Sequence, residues 1–343
     1  MNTMPHLATW SVSEQQLDPR ASVEDKLRFA LRYAVLAPSS HNTQPWHFIV
    51  DGDAVTLCAN RLRALPVVDP FDRELLISCG AALFNLRVAL SHLGLGFAIT
   101  LLPSAADPDV LAHLRIVPDG PRDLTLAPLF DTIGQRVTNR TPFEDRPVSP
   151  EVQHRLRMAG MAEGVDVICI DSGTGRERLA EPIAEADLVQ FHDPRFRREL
   201  ASWIHSSRRD DGMPALSAGV RVLLDAAVPL VASAIRTFDL GGGMAAAHRT
   251  LVAGSPLFLC LASGTDDAAA WLAAGQALER VLLIAVDEGL SASYLNQPIE
   301  VDALRDRLLA PAEPDMTPQL LLRIGYGKPV DHSPRRPMAE VVS

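Results

Sequence analysis

The spacing of apolar residues predicts helices that alternate with short strands. Apolar residues recur at helical spacing from Val23 to Leu36, and Pro38 ends this helix. "WHFIV" and "AVTLCAN" flank the Asp51-Gly52-Asp53 turn, which predicts a β-hairpin. The apolar runs "DVICI", "LFLCLAS" and "LLLRIGYG" predict further buried strands.

This pattern repeats once along the chain. "SCGAALFNLRVALSHLGLGFAITLLP" (Ser78–Pro103) resembles "AAGQALERVLLIAVDEGLSASYLNQP" (Ala273–Pro298), about 195 positions later. Both copies contain Gly-x-Ala-Leu, continue at helical spacing to Gly-Leu, and then enter a β-like run. Two copies are too few for a solenoid and indicate a duplication, in which each half supplies a long core helix that leads into a strand.

The segment from Phe191 to Arg249 differs from the rest of the chain. It holds many arginines, an apolar helical stretch and three consecutive glycines, which indicate a helical insertion with a flexible joint. Its run "VRVLLDAAVPLVASAI" is too polar for a membrane span and predicts a buried or lid helix. We therefore expect an N-terminal extension at 1–22, a first half at 23–125, and a second half at 126–343 that includes the insertion at 191–249.

Composition narrows the function classes. The 343 residues are 47% hydrophobic and carry a formal net charge of −10, so we expect a large core and neither a nucleic-acid nor a membrane partner. Four scattered cysteines form no CxxC pair, which favours free thiols in a reducing cytosol. The start "MNTMPHLATWSVSEQQ" lacks the pattern of a signal peptide. We expect a cytoplasmic protein.

The stretch "APSSHNTQPWHFIV", Ala37–Val50, is rich in short polar side chains. These side chains are too small to build a core, and they offer backbone N–H groups and hydroxyls to a flat polar ligand. Pro38 and Pro45 reduce the entropy lost in fixing the loop. A capped helix-to-strand loop with satisfied polar groups is the alternative interpretation.

Arginines stand out in this acidic chain. In "GQRVTNRTPFEDRPVSPE", Arg136, Thr138 and Arg140 occupy alternate positions, which share a face in an extended segment. Two guanidinium groups beside a hydroxyl are suited to bind phosphate. The sequence "DHSPRRPMAEVV" adds Arg335 and Arg336. Surface charges or ion pairs are the alternative.

Together, these three motifs resemble those of the FMN-dependent nitroreductase family. The polar loop resembles its FMN-binding loop, "RVTNRTPFEDRPV" its Arg-x-Ser-x-Arg-x-Phe motif with Thr138 in place of Ser, and "GYGKPVDHSPRRPMAEVV" its C-terminal tail. Because the loop occurs only in the first half and the arginine motif only in the second, the order resembles the fused, Acg-type branch. The resemblance implies an α+β sandwich with a nitroreductase-like fold, whose two tandem halves form an intramolecular pseudo-dimer with one FMN site.

The resemblance also implies a role for each matching residue. Phosphate and ribityl oxygens would be bound by Arg136, Thr138, Arg140 and Arg335. Arg336 would compensate for Ser333, which stands where many relatives have Lys. The flavin would be lined by Pro38, Ser39, Ser40 and Asn42. The turn Leu295, Asn296 and Gln297 would lie near flavin N5. No catalytic side chain is implied, since the flavin carries the electron chemistry, and His41 is better explained as a loop-stabilising residue than as a proton donor.

Two functions follow from the resemblance. In the first, the protein is an oxidoreductase that passes electrons from NAD(P)H through FMN to a nitro-aromatic, quinone or similar acceptor. In the second, it sequesters FMN under a lid and turns over little. The chain has no Gly-x-Gly-x-x-Gly fingerprint, so we expect NAD(P)H to bind transiently over the flavin. We expect no metal, and a monomer or weak homodimer.

Overall fold

The computed structural model describes residues 5–118, 120, 122–205, 209–214, 228–309 and 315–343. Part of the predicted insertion, residues 206–208 and 215–227, lies outside these ranges. The helices are α1 Val23–Ala34, α2 Arg73–His92, α3 Phe130–Ile133, α4 Pro150–Met161, α5 Gly173–His192, α6 Pro194–Ser202, α7 Val228–Thr237, α8 Gly241–Ala253, α9 Ala268–Asp287, α10 Gln297–Glu300, α11 Asp302–Arg305 and α12 Met338–Val341. The strands are β1 Trp46–Asp51, β2 Ala54–Ala59, β3 Phe97–Leu101, β4 Val110–Ile116, β5 Asp166–Ile170, β6 Ile204–His205, β7 Met213–Pro214, β8 Leu257–Ser263, β9 Ser291–Tyr294 and β10 Thr317–Gly325.

Two four-stranded antiparallel sheets have the same topology. Their strand orders are β1-β2-β4-β3 and β5-β8-β10-β9. In each sheet the strands therefore lie in the order first, second, fourth, third along the chain. A helix capped by a serine precedes each sheet, since Ser22 accepts a hydrogen bond from Asp25 N at the start of α1 and Ser149 from Val152 N at the start of α4. The predicted hairpin of β1 and β2 is confirmed.

The long helices α2 and α9 cross at a pair of glycines. A Cβ atom on Gly80 would lie 2.4 Å from the carbonyl oxygen of Leu272, and one on Gly275 would lie 2.0 Å from that of Ile77. The two contacts are reciprocal, because each glycine meets the residue that precedes the other glycine by three positions. The predicted helix-to-strand repeat is confirmed in both copies.

Helices α2 and α9 are also long and apolar enough to cross a membrane by length and composition alone. In the structure 89% of the apolar window of α2 and 61% of that of α9 are buried. Their apolar character is accounted for by packing in the interior of this fold.

Each half has its own hydrophobic core, and some residues beyond position 125 belong to the core of the first half. Leu126 and Ile133 pack into the first core, together with Val341 from α12 near the end of the chain. There the tail pairs with β1, since Val50 N donates to Ser343 O and Ser343 N donates to Phe48 O, both at 2.9 Å. Residues that follow the predicted boundary at 125, including the end of the chain, therefore pack into the core of the first half.

The helical insertion lies between β5 and β8, the first two strands of the second sheet. It occupies the whole connection from Ile170, where β5 ends, to Leu257, where β8 begins; the equivalent strands of the first half are joined only by the turn at Gly52. The insertion was predicted at 191–249; in the structure α5, which begins at Gly173, packs against α8 as part of the same helical unit. Helix α5 contains Pro182 and has no clear apolar face, which is why the periodicity did not reveal it.

The insertion packs on the first half. Phe196, Ile204 and Met213 share an apolar cluster with Leu65 and Val68, which lie between β2 and α2. On α6, the carboxylate of Glu199 accepts hydrogen bonds from the backbone N–H groups of residues 67 and 68, at 3.0 and 2.9 Å. The described part of the insertion is thereby held beside the polar loop that precedes β1.

Candidate functional site

The polar loop between α1 and β1 has an unusual backbone. His41, Asn42 and Gln44 have φ angles of +48°, +56° and +52°. Each such residue costs roughly 1–2 kcal/mol when it is not glycine, and asparagine tolerates this region best. The conformation therefore depends on contacts made by the rest of the protein.

Asn42 supplies three of these contacts. Its Nδ2 donates to the carbonyl oxygens of Gly212 at 2.9 Å and Pro334 at 3.0 Å, and its Oδ1 accepts from Arg335 Nη1 at 2.9 Å. One buried side chain thus joins the loop to both the insertion and the C-terminal tail. Asn42 was predicted to line a flavin, whereas its side chain makes contacts within the protein.

Gln44 ties the loop to the same two segments. Its Nε2 donates to Asp210 O at 2.9 Å, and its Oε1 accepts from the backbone N–H of Arg336 at 2.8 Å. The backbone N–H of Gln44 donates to Ser39 Oγ at 2.9 Å. Gln44 is fully buried, and these contacts fit a structural role in the loop, which is how the sequence is interpreted at this position, rather than contact with a ligand.

Arg335 and Arg336 hold the loop from the tail. The Nη2 atom of Arg335 donates to the carbonyl oxygens of Leu36 at 3.1 Å and Ala37 at 3.0 Å, and Trp10 stacks 4.9 Å from its guanidinium carbon. Arg336 Nη1 donates to Gln44 O at 3.4 Å. Both side chains are therefore engaged within the protein, and only Nε of Arg335 is buried there without a partner among the described residues.

Arg136 and Arg140 approach the loop from the second half. Arg136 is buried and its Nη2 donates to Leu36 O at 3.1 Å. Burial lowers the pKa of Arg140, and Arg140 in turn adds to the effect of burial that lowers the pKa of His41 to about 4. His41 is therefore neutral at physiological pH, which argues against a cationic proton donor at this position.

Thr138 lies between these arginines, where the chain runs beside β9. It forms a parallel bridge with Ala292, and the next backbone N–H, that of Asn139, donates to Ala292 O at 2.8 Å. Ala292, the partner of Thr138, precedes Tyr294 by two residues on β9. The hydroxyl of Tyr294 is buried without a partner in the described part of the chain. The arginine motif and the turn after β9 are thus neighbours.

The predicted turn lies against the first half. Leu295 is buried, and its backbone N–H is used in the sheet, where it donates to Leu321 O at 2.9 Å. Asn296 Nδ2 donates to Glu74 Oε1 at 3.4 Å, and Ser40 Oγ donates to Glu74 Oε2. Glu74, on α2, thus connects the loop of the first half to the turn of the second half, and sequence analysis missed it.

Gln297 contacts the insertion. Its Nε2 lies 3.2 Å from Nδ1 of His248 on α8, and that nitrogen lies 2.7 Å from Oδ2 of Asp187 on α5. Gln297 Oε1 is buried without a partner in the described ranges. The insertion therefore reaches the turn as well as the loop.

The structure brings the predicted residues into one region, and Pro38 lies buried in the loop. The region is electropositive, and its charges interact. Burial, together with Arg136, lowers the pKa of Arg335 to about 9, and burial with both of these arginines lowers the pKa of His332 to about 4. Burial and Arg140 lower the pKa of Arg323, on β10, to about 10. Buried cations that lower one another's pKa favour an anionic ligand.

Besides Glu74, sequence analysis missed two more charged members of this region. Arg323 is 1% exposed and stands in the apolar run "LLLRIGYG"; Glu279 is 0% exposed and stands on α9 in "QALERVLLIAV". Glu279 Oε1 lies 3.5 Å from Arg136 Nε. A charged residue within an apolar run was the signal available for both. Within the part of the chain that the structure describes, no group of three His, Cys, Asp or Glu side chains could hold a metal ion.

Comparison with known proteins identifies the family. Over 331 residues the chain is 30% identical to acg of Mycobacterium tuberculosis (strain CDC 1551 / Oshkosh), a protein assigned by name as an NAD(P)H nitroreductase, with 92% of this chain and 95% of the relative covered. The chain belongs to the NAD(P)H nitroreductase family. A second protein of that organism assigned by name to the same activity is 32% identical over 324 residues, which cover 93% of this chain and 91% of the relative. No family model matches the chain.

Solved nitroreductases resemble the chain at lower similarity. The FMN and NADPH-dependent nitroreductase NfnB from Sphigopyxis sp. strain HMH is 18% identical, with a TM-score of 0.42 and coverage of 63% of this chain and 97% of that one. A nitroreductase from Desulfovibrio desulfuricans in complex with FMN is 17% identical, with a TM-score of 0.36 and coverage of 62% and 94%. At these TM-scores neither similarity supports an inference about this chain.

Proposed function

We propose that this nitroreductase-family protein binds one FMN at the electropositive region and passes electrons from NAD(P)H to a nitro-aromatic, quinone or similar small acceptor. The observation that carries the proposal is the cluster of Arg136, Arg140 and Arg335 beside the strained loop. The cluster takes residues from two parts of the chain that the sequence separates by nearly 200 positions. Arginines gathered in this way fit a phosphate, which accepts several charge-assisted hydrogen bonds.

The residues present fit FMN by their charge. Arg136, Arg323 and Arg335 are at most 4% exposed, and the buried carboxylate of Glu279 lies among them. A phosphate dianion supplies the negative charge that such a set of buried cations needs. The polar loop supplies short side chains and backbone N–H groups for the less charged parts of the ligand.

The contacts divide the proposed roles among the residues. Arg136, Thr138 and Arg140 bind the phosphate and the ribityl oxygens. Arg335 adds its buried charge to the phosphate cluster, while its terminal nitrogens and those of Arg336 hold the loop by donating to carbonyl oxygens of the loop and tail. The flavin is lined by Pro38, Ser39, Ser40, Asn296 and Gln297. Bound FMN supplies two-electron transfer chemistry that side chains lack.

The shared topology of the two sheets supports the idea that tandem nitroreductase-like halves form a pseudo-dimer within one chain. Because the polar loop occurs once and the arginine motif occurs once, we expect one FMN per chain. A single chain then contains both parts of the site, so binding needs no second copy. Denaturing the purified protein and quantifying the released flavin tests the expected stoichiometry, and FAD or two equivalents of FMN would contradict it.

The alternative function is FMN sequestration under a lid. One observation favours it: residues 209–214 of the insertion lie against the loop, where Arg63 Nη2 pairs with Asp211 Oδ2 at 2.5 Å and Gly212 N donates to Asn42 O at 3.3 Å. A segment held in this way would restrict access of NAD(P)H to a flavin bound beside the loop. It would then slow turnover without weakening binding.

Anaerobic addition of NADPH or NADH to the flavin-loaded protein tests the proposed activity. Rapid bleaching of the flavin absorbance, reversed by a quinone, supports the oxidoreductase; a bound flavin that neither nucleotide reduces supports sequestration. Arg136→Ala should weaken FMN binding at least about tenfold, since a charge-assisted hydrogen bond contributes roughly 1.5–3 kcal/mol. Arg155→Ala is the matched control, because Arg155 pairs with Asp287 on the exposed end of α9. Unchanged affinity in Arg136→Ala would contradict the proposed site.

A further inference from the structure

Glu279 is a buried acid that the proposed electron transfer does not use. It is 0% exposed, and by distance and angle neither of its carboxylate oxygens makes a hydrogen bond among the described residues, although the side chain of Asn85 on α2 is close enough to oppose the rise in its pKa. Its ion pair with Arg136 spans 3.5 Å, and Nε of Arg136 likewise lacks a hydrogen bond in the described ranges. In a charge-assisted hydrogen bond the nitrogen and oxygen atoms are about 2.7–2.9 Å apart. Glu279 therefore lies close to Arg136 but makes no hydrogen bond to its Nε atom.

The charged and titratable groups that face Glu279 come from three other elements. They are Arg136 from the segment after α3, Arg335 from the tail, and Tyr294 at the end of β9, whose pKa is raised by burial and also by Glu279. Burial raises the pKa of Glu279 to about 7, although Arg136 opposes this shift. Neutral and ionised forms of this carboxyl are therefore close in free energy at physiological pH.

A phosphate bound by Arg136 would place a second anion near the same guanidinium. Two anions in a region of low dielectric repel each other strongly, and the weaker acid is protonated to relieve the repulsion. The second pKa of a phosphate monoester is about 6, so the phosphate stays a dianion above neutral pH. Glu279 is thus the group that gains the proton.

We propose that Glu279 is a proton-linked counter-ion of the ligand site: its carboxylate balances the arginines in the free protein and takes up a proton from solvent when a phosphate binds. The inference rests on the proposed FMN site and adds a specificity determinant to it. Riboflavin, which has no phosphate, would not displace the carboxylate from Arg136. Proton uptake therefore distinguishes FMN from riboflavin.

Calorimetric titration of the flavin-free full chain with FMN tests the proposal. At pH 8, titrations in Tris and in HEPES, whose ionisation enthalpies differ, should reveal uptake approaching one proton per FMN. Affinity should fall between pH 7 and 8.5 by up to about tenfold per pH unit, as one linked proton requires. His332 and His41 stay neutral over this range, since the pKa of each is about 4, and Arg335, whose pKa is lowered to about 9, stays mostly charged at pH 8, where the proton uptake is measured.

Glu279→Gln removes the proton-binding group. The variant should bind FMN more tightly than the wild type at pH 8, with no proton uptake and little pH dependence. Glu163→Gln is the matched control, because the side chain of Glu163 is 6% exposed and pairs with Arg87 and Arg280 away from the site. It should keep the proton uptake of the wild type.

Three results would overturn the inference. They are FMN binding to the wild type without proton uptake at pH 8, equal uptake with riboflavin, and uptake that persists in Glu279→Gln. The first two need no variant, so they decide the matter even when Glu279→Gln fails to fold. An absence of FMN binding at every pH would instead refute the proposed function, and this inference with it.

Discussion

The crossing of α2 and α9 predicts that Gly275→Ala destabilises the fold. The new methyl carbon would lie 2.0 Å from the carbonyl oxygen of Ile77 and 2.9 Å from the backbone nitrogen of Ala81. Both atoms belong to the backbone of a buried helix, so neither can rotate away. Nonbonded contact requires a separation of more than about 3 Å, so the helices must move apart by about 1 Å.

The magnitude follows from two opposing terms. Overpacking of a well-packed core costs about 1–3 kcal/mol and sometimes more, and a backbone clash this close lies at the upper end. Alanine is better than glycine in a helix by about 1 kcal/mol, which offsets part of the loss. We expect a net destabilisation of about 2 kcal/mol, which lowers Tm by about 3 °C for a chain of this length.

Denaturant unfolding followed by circular dichroism measures this change, with flavin content as a second readout. Gly243→Ala is the matched control, since Gly243 lies in the first turn of α8 and a Cβ there would meet nothing within 4 Å. The control should be as stable as the wild type or slightly more so. If Gly275→Ala were also as stable as the wild type, the close crossing of the two helices would be refuted.

Three further predictions concern the site. Asn42→Ala removes hydrogen bonds to Gly212 and Pro334 and a residue tolerant of positive φ, so it should destabilise the protein by about 2 kcal/mol and weaken FMN binding in an equilibrium titration; unchanged values would contradict the role given to this side chain. Asp211→Asn breaks the ion pair with Arg63 and should speed flavin reduction by NADPH in stopped flow, whereas an unchanged rate would argue against a lid. Because folding raises the pKa of Glu279 to about 7, its contribution to stability is complete below about pH 4.5, declines by about 3 kcal/mol up to pH 7 and is constant above. Glu279→Gln should remove that decline from the unfolding free energy, and an unaltered pH profile would contradict the raised pKa.

Local patterns predicted the elements well where one face or one turn decides the structure. The hairpin around Gly52 and the repeated helix-to-strand unit follow from alternation, helical spacing and glycine, and both are confirmed. Glycine at positions 80 and 275 was visible in the repeat. Its physical reason, the close approach of two backbones, required the packed structure.

Boundaries and charges were predicted less well, because they depend on distant contacts. Nothing local indicates that Val341 completes the first core or that α5 belongs to the insertion. The positive φ angles of the loop also escaped prediction, since the stretch contains no glycine. The role of Glu279 depends on its proximity to Arg136, which lies more than 140 positions away in the sequence.

The separation of α2 from its partner α9 has a consequence for synthesis of the chain. About 195 residues separate Gly80 from Gly275, and a ribosome adds roughly 5–20 residues per second. The nascent chain therefore carries α2, which is buried along nearly all its length in the folded protein, for about 10–40 seconds before its partner emerges. In a homodimer of half-length subunits the partner helix would lie on another molecule, so the exposed helix would wait for a second chain to bind. In the fused chain the wait is set by translation, and we expect chaperones that hold apolar helices to act in this interval.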